Sequence, residues 1–248
     1  MSKLSLLLIG ASACGFAPTE RQVQPDAQST TADADANAIA GADAQGTARA
    51  ACHSQLPGLL LCYDFEDPTF QTTIYDSSAG DHDATPVDVD VMKRATQQAA
   101  GLADGSSILV PEAASLDLAS ALSIELWIDP GDSNSGPIIA HQDDYWIDFD
   151  RAIGCWVGDL EPWSPHDIPA GWHHIACTFD GTTMRTYVDG SVVACAKTHD
   201  PMTARAAQIR IGERYVGGID DVHLYSRALE PAEIQGLAGA TSATSTCP

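Results

Sequence analysis

The chain is short of positive charge. Twelve Lys and Arg face 34 Asp and Glu across 248 residues, a formal net charge of −22. A nucleic-acid binder needs a basic footprint that releases counterions, so that class of partner is excluded. An anionic membrane surface is disfavoured for the same reason. Long apolar runs are missing too, since none reaches the ~20 residues that span a bilayer. Aromatics are sparse at 6%, but a 44% hydrophobic content is enough to build one buried core. Several catalytic and metal signatures are also lacking. The sequence has no Gly-x-Ser-x-Gly elbow, no His-Glu-x-x-His helix, no Cys-x-x-Cys and no Cys/His zinc spacing.

What is present begins with an address. Met1–Lys3 is a positive start, Leu4–Gly10 an apolar stretch, and Ala11-Ser12-Ala13 supplies small residues before Cys14. This is the layout of a secretory signal, too short to span a membrane. Small residues running into Cys14 also resemble a bacterial lipobox, whose cysteine is lipidated and becomes the mature N-terminus. Ala11 stands where that motif prefers Leu. Lipidation at Cys14 is favoured over plain cleavage after Ala13, and either route exports the protein, to the cell surface or outer membrane or into the medium. The lipid at Cys14 would then be its membrane contact. Residues 15–51 read as a disordered Ala/Asp-rich linker. Eleven alanines lie between Asp26 and Ala51, and Ile39 is the single large apolar side chain there, too little burial to offset ordering entropy.

The acid belongs mostly to the remainder. Residues 51–248 hold 29 acids against nine bases, and 22 of the acids are Asp. Asp favours turns and strand ends, which points to loops of a β protein. Ile124, Leu126 and Ile128 alternate with Glu125, Trp127 and Asp129 as in a half-buried strand. Tyr145–Phe149, Cys155–Val157, Gln208–Gly212 and Gly217–Tyr225 read similarly. Asp180-Gly181-Thr182 and Asp189-Gly190 join three apolar runs between His173 and Ala196 into a meander, because Gly accepts φ > 0 at a tight return. One helix is predicted from Pro231 behind Glu230. The fold class is all-β, an antiparallel sandwich over residues 52–240 with a short C-terminal helix, then a tail at 241–248.

Four segments carry a family resemblance. They are Leu122-Ser-Ile-Glu-Leu-Trp-Ile-Asp-Pro130, Trp172-His-His-Ile-Ala-Cys-Thr-Phe-Asp-Gly181, Tyr187-Val-Asp-Gly190, and Gly217-Gly-Ile-Asp-Asp-Val-His-Leu-Tyr-Ser-Arg-Ala-Leu229 with Pro231-Ala-Glu-Ile234. In this order the chain resembles LamG-like jelly-roll domains of the concanavalin A-like lectin/glucanase superfamily, over roughly Leu56 to Ala238. The resemblance implies two curved antiparallel sheets. It also implies a structural calcium site: the loop Tyr75–Ala84 and the acids of Gly218–Asp221 would supply Asp76, Asp83, Asp220 and Asp221, with backbone carbonyls completing six to eight oxygens. His82 stands where the family often has Asn. The competing reading is that Asp220 and Asp221 bond backbone amides at turns. The superfamily's glucanases carry Glu-x-Asp-x-x-Glu, which is absent here, so no enzyme is expected. His173 and His174 face opposite sides of a strand and are expected to be structural.

Seven cysteines in an exported chain split into Cys14 and six others. Six allow 15 pairings. Proximity favours Cys52 with Cys62, and Cys155 with Cys177 as a bridge between neighbouring strands. Cys195 with Cys247 follows by elimination and would pin the tail. For a ligand, Trp163 in Glu161-Pro-Trp-Ser-Pro165 presents an indole at a loop tip, with Asp143 and Asp144 nearby to accept hydroxyl hydrogen bonds. Trp146 and Trp156, lying in strands, are expected in the core. The function expected is carbohydrate or surface-glycan binding. The alternative is an adhesion module contacting a surface protein.

Overall fold

The computed structural model describes residues 52–131, 135–142, 144–198 and 202–248. Cys14, the linker at 15–51 and Asp143 lie outside them. Twelve strands and one helix follow in order: β1 (Leu59–Tyr63), β2 (Thr85–Arg94), β3 (Gln97–Val110), β4 (Leu122–Pro130), β5 (Ser135–His141), β6 (Tyr145–Asp150), β7 (Ala152–Val157), β8 (His173–Phe179), β9 (Thr183–Val188), β10 (Ser191–Lys197), β11 (Ile209–Ile211), β12 (Gly217–Tyr225) and α1 (Pro231–Leu237). The ladder runs β10-β9-β8-β4-β12-β3-β11-β5-β6-β7, with β1 on β12 and β2 on β3. Every pairing is antiparallel. No helix among the described residues is long and apolar enough to cross a membrane.

The sheet curls on itself into two layers. β3 turns the corner, pairing β12 through Ala100–Leu102 and β11 through Ile108–Val110. The far end, β7, then packs back against β8 and β9. The main core fills the space between the layers, with Ile124, Leu126, Ile147, Ile175, Ile209 and Leu224 buried in it. A second cluster sits outside the β8–β4–β12 layer, where Ile234 of α1 and Leu229 cover Tyr187 and Tyr225. α1 starts as expected: Pro231 occupies its first turn, and the Glu230 amide donates to Glu233 Oε2 at 2.8 Å.

The Asp-Gly returns work as the sequence implies. Asp189 and Gly190 both take positive φ, 47° and 78°, the pair of values a type I′ turn demands. The strand pattern in the sequence leaves out β1, β2, β3 and β5. β2 interleaves Val87, Val89 and Val91 with Asp, while β3 buries Ala99, Ala100 and Gly101; small and acidic residues carry little strand signal of their own.

Three disulfides join the expected partners: Cys52–Cys62, Cys155–Cys177 and Cys195–Cys247. One detail differs. β7 and β8 are not ladder neighbours, so Cys155–Cys177 crosses the core and ties one layer to the other. Cys195–Cys247 does pin the tail, helped by Val192 N–H donating to the Thr244 carbonyl at 2.8 Å.

Candidate functional site

The residues expected to bind calcium have other partners. Asp76 is buried, and its two oxygens accept the amides of Cys62, Ser78 and His82, each at 2.9 Å. Asp83 Oδ1 accepts the Asp76 amide at 2.9 Å. A bulge at Asp221 (φ 46°) lets both Asp220 and Asp221 reach Arg94. Arg94 Nε donates to Asp220 Oδ2 at 2.7 Å, and its Nη2 donates to Asp221 Oδ2. Asp220 Oδ1 takes the Asp221 amide at 2.9 Å, and Asp221 Oδ1 faces His53 Nδ1 at 3.0 Å. All four carboxylate oxygens of Asp220 and Asp221 are therefore engaged, and the positive charge beside them is a guanidinium that also lies over the Trp127 ring at 4.7 Å. This set does not fit a cation needing six to eight oxygens. Burial, then the Asp221 charge, push the Asp220 carboxyl up to about 7 against the pull of Arg94.

The expected sugar-facing acids fare differently. Asp144 is buried, accepts the Arg205 amide at 2.7 Å and lies 3.3 Å from His141 Nδ1. It orders the chain beneath the surface and presents no oxygen to a ligand. Trp163 does lie at the surface side, half-buried, but flat against Gly154, where a Cβ would come within 2.7 Å of its ring. His173 pairs with Asp189 Oδ2 at 2.9 Å, while His174 points the other way to Glu125 Oε2 at 2.8 Å.

That second contact belongs to a buried triad. Glu125 on β4 lies between His174 on β8 and His223 on β12. Burial alone would raise the Glu125 carboxyl, but the imidazoles, His223 foremost, hold it at about 2. Burial would depress His223, and the Glu125 charge more than offsets that. The triad is closed to solvent and cannot meet a substrate. His223 also approaches Cys52 and Cys62, but those sulfurs are bonded to each other and are not thiolate ligands.

The surface that can hold a ligand is the outer face of the other layer. Cross-strand register places Leu109, Arg210, Ala140, Trp146 and Trp156 in one row over β3, β11, β5, β6 and β7. Their sequence neighbours Ile209, Ile139 and Ile147 turn into the core, so this row faces out. A groove of about 640 Å³ opens over Arg210 and Ala140 of this row, lined also by Glu112, Gln142, Gln208 and Glu213. Beyond Ala140, Trp146 and Trp156 stack with centroids 4.8 Å apart and planes 12° off parallel, and Trp163 meets Trp156 edge-on at 6.5 Å. Trp146 and Trp156 are thus half-buried on the outer face, not in the core. The signal was present: Trp146 shares its parity with Asp148 and Asp150, the polar side of the strand.

Comparisons with known proteins agree with this architecture. A family model described as the Concanavalin A-like lectin/glucanases superfamily matches residues 102–235. Among solved structures, the binding domain of Paraclostridial Mosquitocidal Protein 1 matches with TM-score 0.63 at 16% identity, covering 73% of this chain and 52% of that one. Domain 4 of AbnA, an extracellular arabinanase of Geobacillus stearothermophilus solved with arabinotriose, matches with TM-score 0.61 at 21% identity, covering 73% of this chain and 98% of that one. The binding domain of Botulinum Neurotoxin DC in complex with SialylT gives TM-score 0.60 at 12% identity, over 74% and 51%. The chain thus spans about half the length of the two toxin domains and nearly all of the arabinanase domain. At such identities the likeness is one of fold. A search of curated proteins found no match.

Proposed function

This chain belongs to the concanavalin A-like lectin/glucanase superfamily, and we propose that within it the domain is a non-catalytic module that binds carbohydrate on the outer face of the β3–β11–β5–β6–β7 layer. One observation carries the reading: a polar groove of about 640 Å³ is floored by Ala140, whose cross-strand partner Trp146 begins a stacked tryptophan pair on the same face. Hydroxyl-rich rings need side chains that both donate and accept, beside a flat apolar surface for their C–H faces. Similar folds were solved with arabinotriose and with SialylT, so such a scaffold can present sugar sites. Glycoside hydrolysis needs two carboxyls placed about the scissile bond; of the two that line the groove, Glu112 and Glu213, the second faces Arg210 at 3.9 Å, which supports binding over catalysis.

The setting proposed is extracytoplasmic. Three disulfides suit an oxidising compartment, and with six cysteines paired, Cys14 is the seventh, placed for a lipid anchor ahead of the 15–51 linker. Intact mass of the mature N-terminus tests this: a diacyl or triacyl cysteine is expected, and an unmodified start at Cys14 would contradict it. A second reading, docking of a surface protein, is favoured by Val87 and Val91, the exposed large hydrophobics of the described residues, both on β2. A glycan array decides between them. Binding to one glycan class is expected, and a silent array together with capture of a defined surface protein would overturn the carbohydrate reading.

A further inference from the structure

The row of outward residues also bears on which carbohydrate fits. We propose that this face takes a neutral oligosaccharide of at least two residues, lying across the strands from Arg210 to the open face of Trp146. This rests on the carbohydrate reading above.

The register supplies the length. Arg210, Ala140, Trp146 and Trp156 stand directly opposite one another on β11, β5, β6 and β7. Two strand spacings of ~4.8 Å separate Arg210 from Trp146, roughly 10 Å, and the third, from Trp146 to Trp156, is filled by the stacked indoles. A pyranose residue with its glycosidic link advances by about one such spacing, so the open row holds two. Ala140 sets the floor between guanidinium and indole, where any larger side chain would fill the gap. Trp146 has two ring faces. Trp156, on the β7 side, covers one at 4.8 Å; the other is turned to the β5 side, where Ala140 leaves space for the C–H face of a sugar. Trp163 braces Trp156 edge-on and, lying flat on Gly154, keeps the stack from rotating away.

The charge supplies the neutrality. Two carboxylates, Glu112 and Glu213, line the groove against one guanidinium, Arg210, which already faces Glu213 at 3.9 Å. The neighbouring Arg205 lies 3.7 Å from Asp144, and the charge of Arg214 acts on Asp148. Residues 51–248 carry 29 acids and nine bases, so the surrounding field repels carboxylated or sulfated sugars. Gln142 offers both a donor and an acceptor, while the Gln208 oxygen accepts from Arg210 Nε and Nη2 at 3.0 Å and leaves its amide N–H groups as donors, which suit uncharged hydroxyls.

The test is calorimetric titration of the full-length protein with xylo-, cello- and arabino-oligosaccharides of one to six residues, and with oligogalacturonides of the same lengths. Affinity for one neutral series is expected to rise at least tenfold from one residue to two and then level off, with no binding of the acidic series. Trp146→Ala is expected to reduce affinity at least tenfold across that series, because the ring face on which the sugar stacks is lost. Ala140→Trp keeps the stacked pair, blocks the floor and should abolish binding with the melting temperature preserved, which guards against a misfolded variant. Tighter binding of oligogalacturonides, affinity independent of length, or disaccharide binding untouched by both variants would overturn the proposal while leaving a carbohydrate module in place. Absence of binding to any saccharide would overturn the carbohydrate reading itself.

Discussion

Arg94 supplies the guanidinium that two adjacent carboxylates share, and it shows how a site can be misread from acids alone. Asp220 and Asp221 follow each other in sequence and invite a divalent cation, but the charge that meets them comes from β2, over 120 residues away. No spacing rule reveals such a partner. Removing it leaves two buried carboxylates facing each other, so Arg94→Met is expected to destabilise the domain by about 3–5 kcal/mol. Calcium at millimolar concentration should leave the wild-type melting temperature unchanged and raise that of Arg94→Met, because the vacated oxygens then become available. A calcium-dependent rise in wild type would show that the ion displaces the guanidinium.

The same pair has a pH signature. Asp220 has its folded carboxyl pushed up to about 7 from 3.8, so the folded state holds this proton more tightly than the unfolded chain does. Its contribution is full at low pH and is lost as pH rises between about 4 and 7. Thermal melts across that interval should show a decline that Asp220→Asn flattens; a decline of equal slope in the variant would place its origin elsewhere.

At the scale of elements, Glu125, His174 and His223 knit β4, β8 and β12 together on the outer face of one layer. Glu125, lowered to about 2 from 4.5, contributes stability that is complete above pH 4.5 and is lost as pH falls towards 2. His223, raised above 6.5, contributes stability that is complete below pH 6.5 and is lost as pH rises through its folded value. Both contributions are complete between about pH 4.5 and 6.5. With the decline due to Asp220 included, the expected maximum of thermal stability lies near pH 5, acid of neutrality. Glu125→Gln should cost about 3–5 kcal/mol at that pH, measured by denaturant unfolding; a cost below 1 kcal/mol would mean that the imidazoles are neutral and find other partners.

Elements with strong local signals were legible. Asp180-Gly and Asp189-Gly announce β8, β9 and β10, and Glu230-Pro231 announces α1. The disulfide partners followed from closeness in the chain and from elimination. The groove was not legible, for a topological reason. Glu112, Ala140, Gln142 and the 208–213 segment meet because the three-residue strand β11 inserts between β3 and β5, and a strand so short declares neither its neighbours nor its register. Trp146 and Trp156 illustrate the limit of parity: alternation shows that Trp146 faces away from Ile147, but not that Trp156 stands opposite it.

At the scale of the whole molecule, the curl of one continuous ladder makes the sandwich, and Cys155–Cys177 fastens its two layers where hydrogen bonding does not. Replacing both cysteines by Ala should cost about 2–5 kcal/mol. The pair Cys195–Cys247 holds only the tail to β10, so its removal should cost less, with the groove unaffected. The acid surplus falls mainly on the loops of this sandwich. With its paired carboxylates answered by Arg94, that surplus serves solubility and repels anionic ligands more than it recruits cations.

The most direct measurement is titration of the wild-type domain and of Ala140→Trp with a panel of neutral oligosaccharides, each protein checked by its melting curve. Saturable binding by the wild type, lost in Ala140→Trp at an unchanged melting temperature, is the expected result. A wild-type domain that binds no saccharide, or an Ala140→Trp variant that binds as well as wild type, would contradict the assignment of this face as a carbohydrate site.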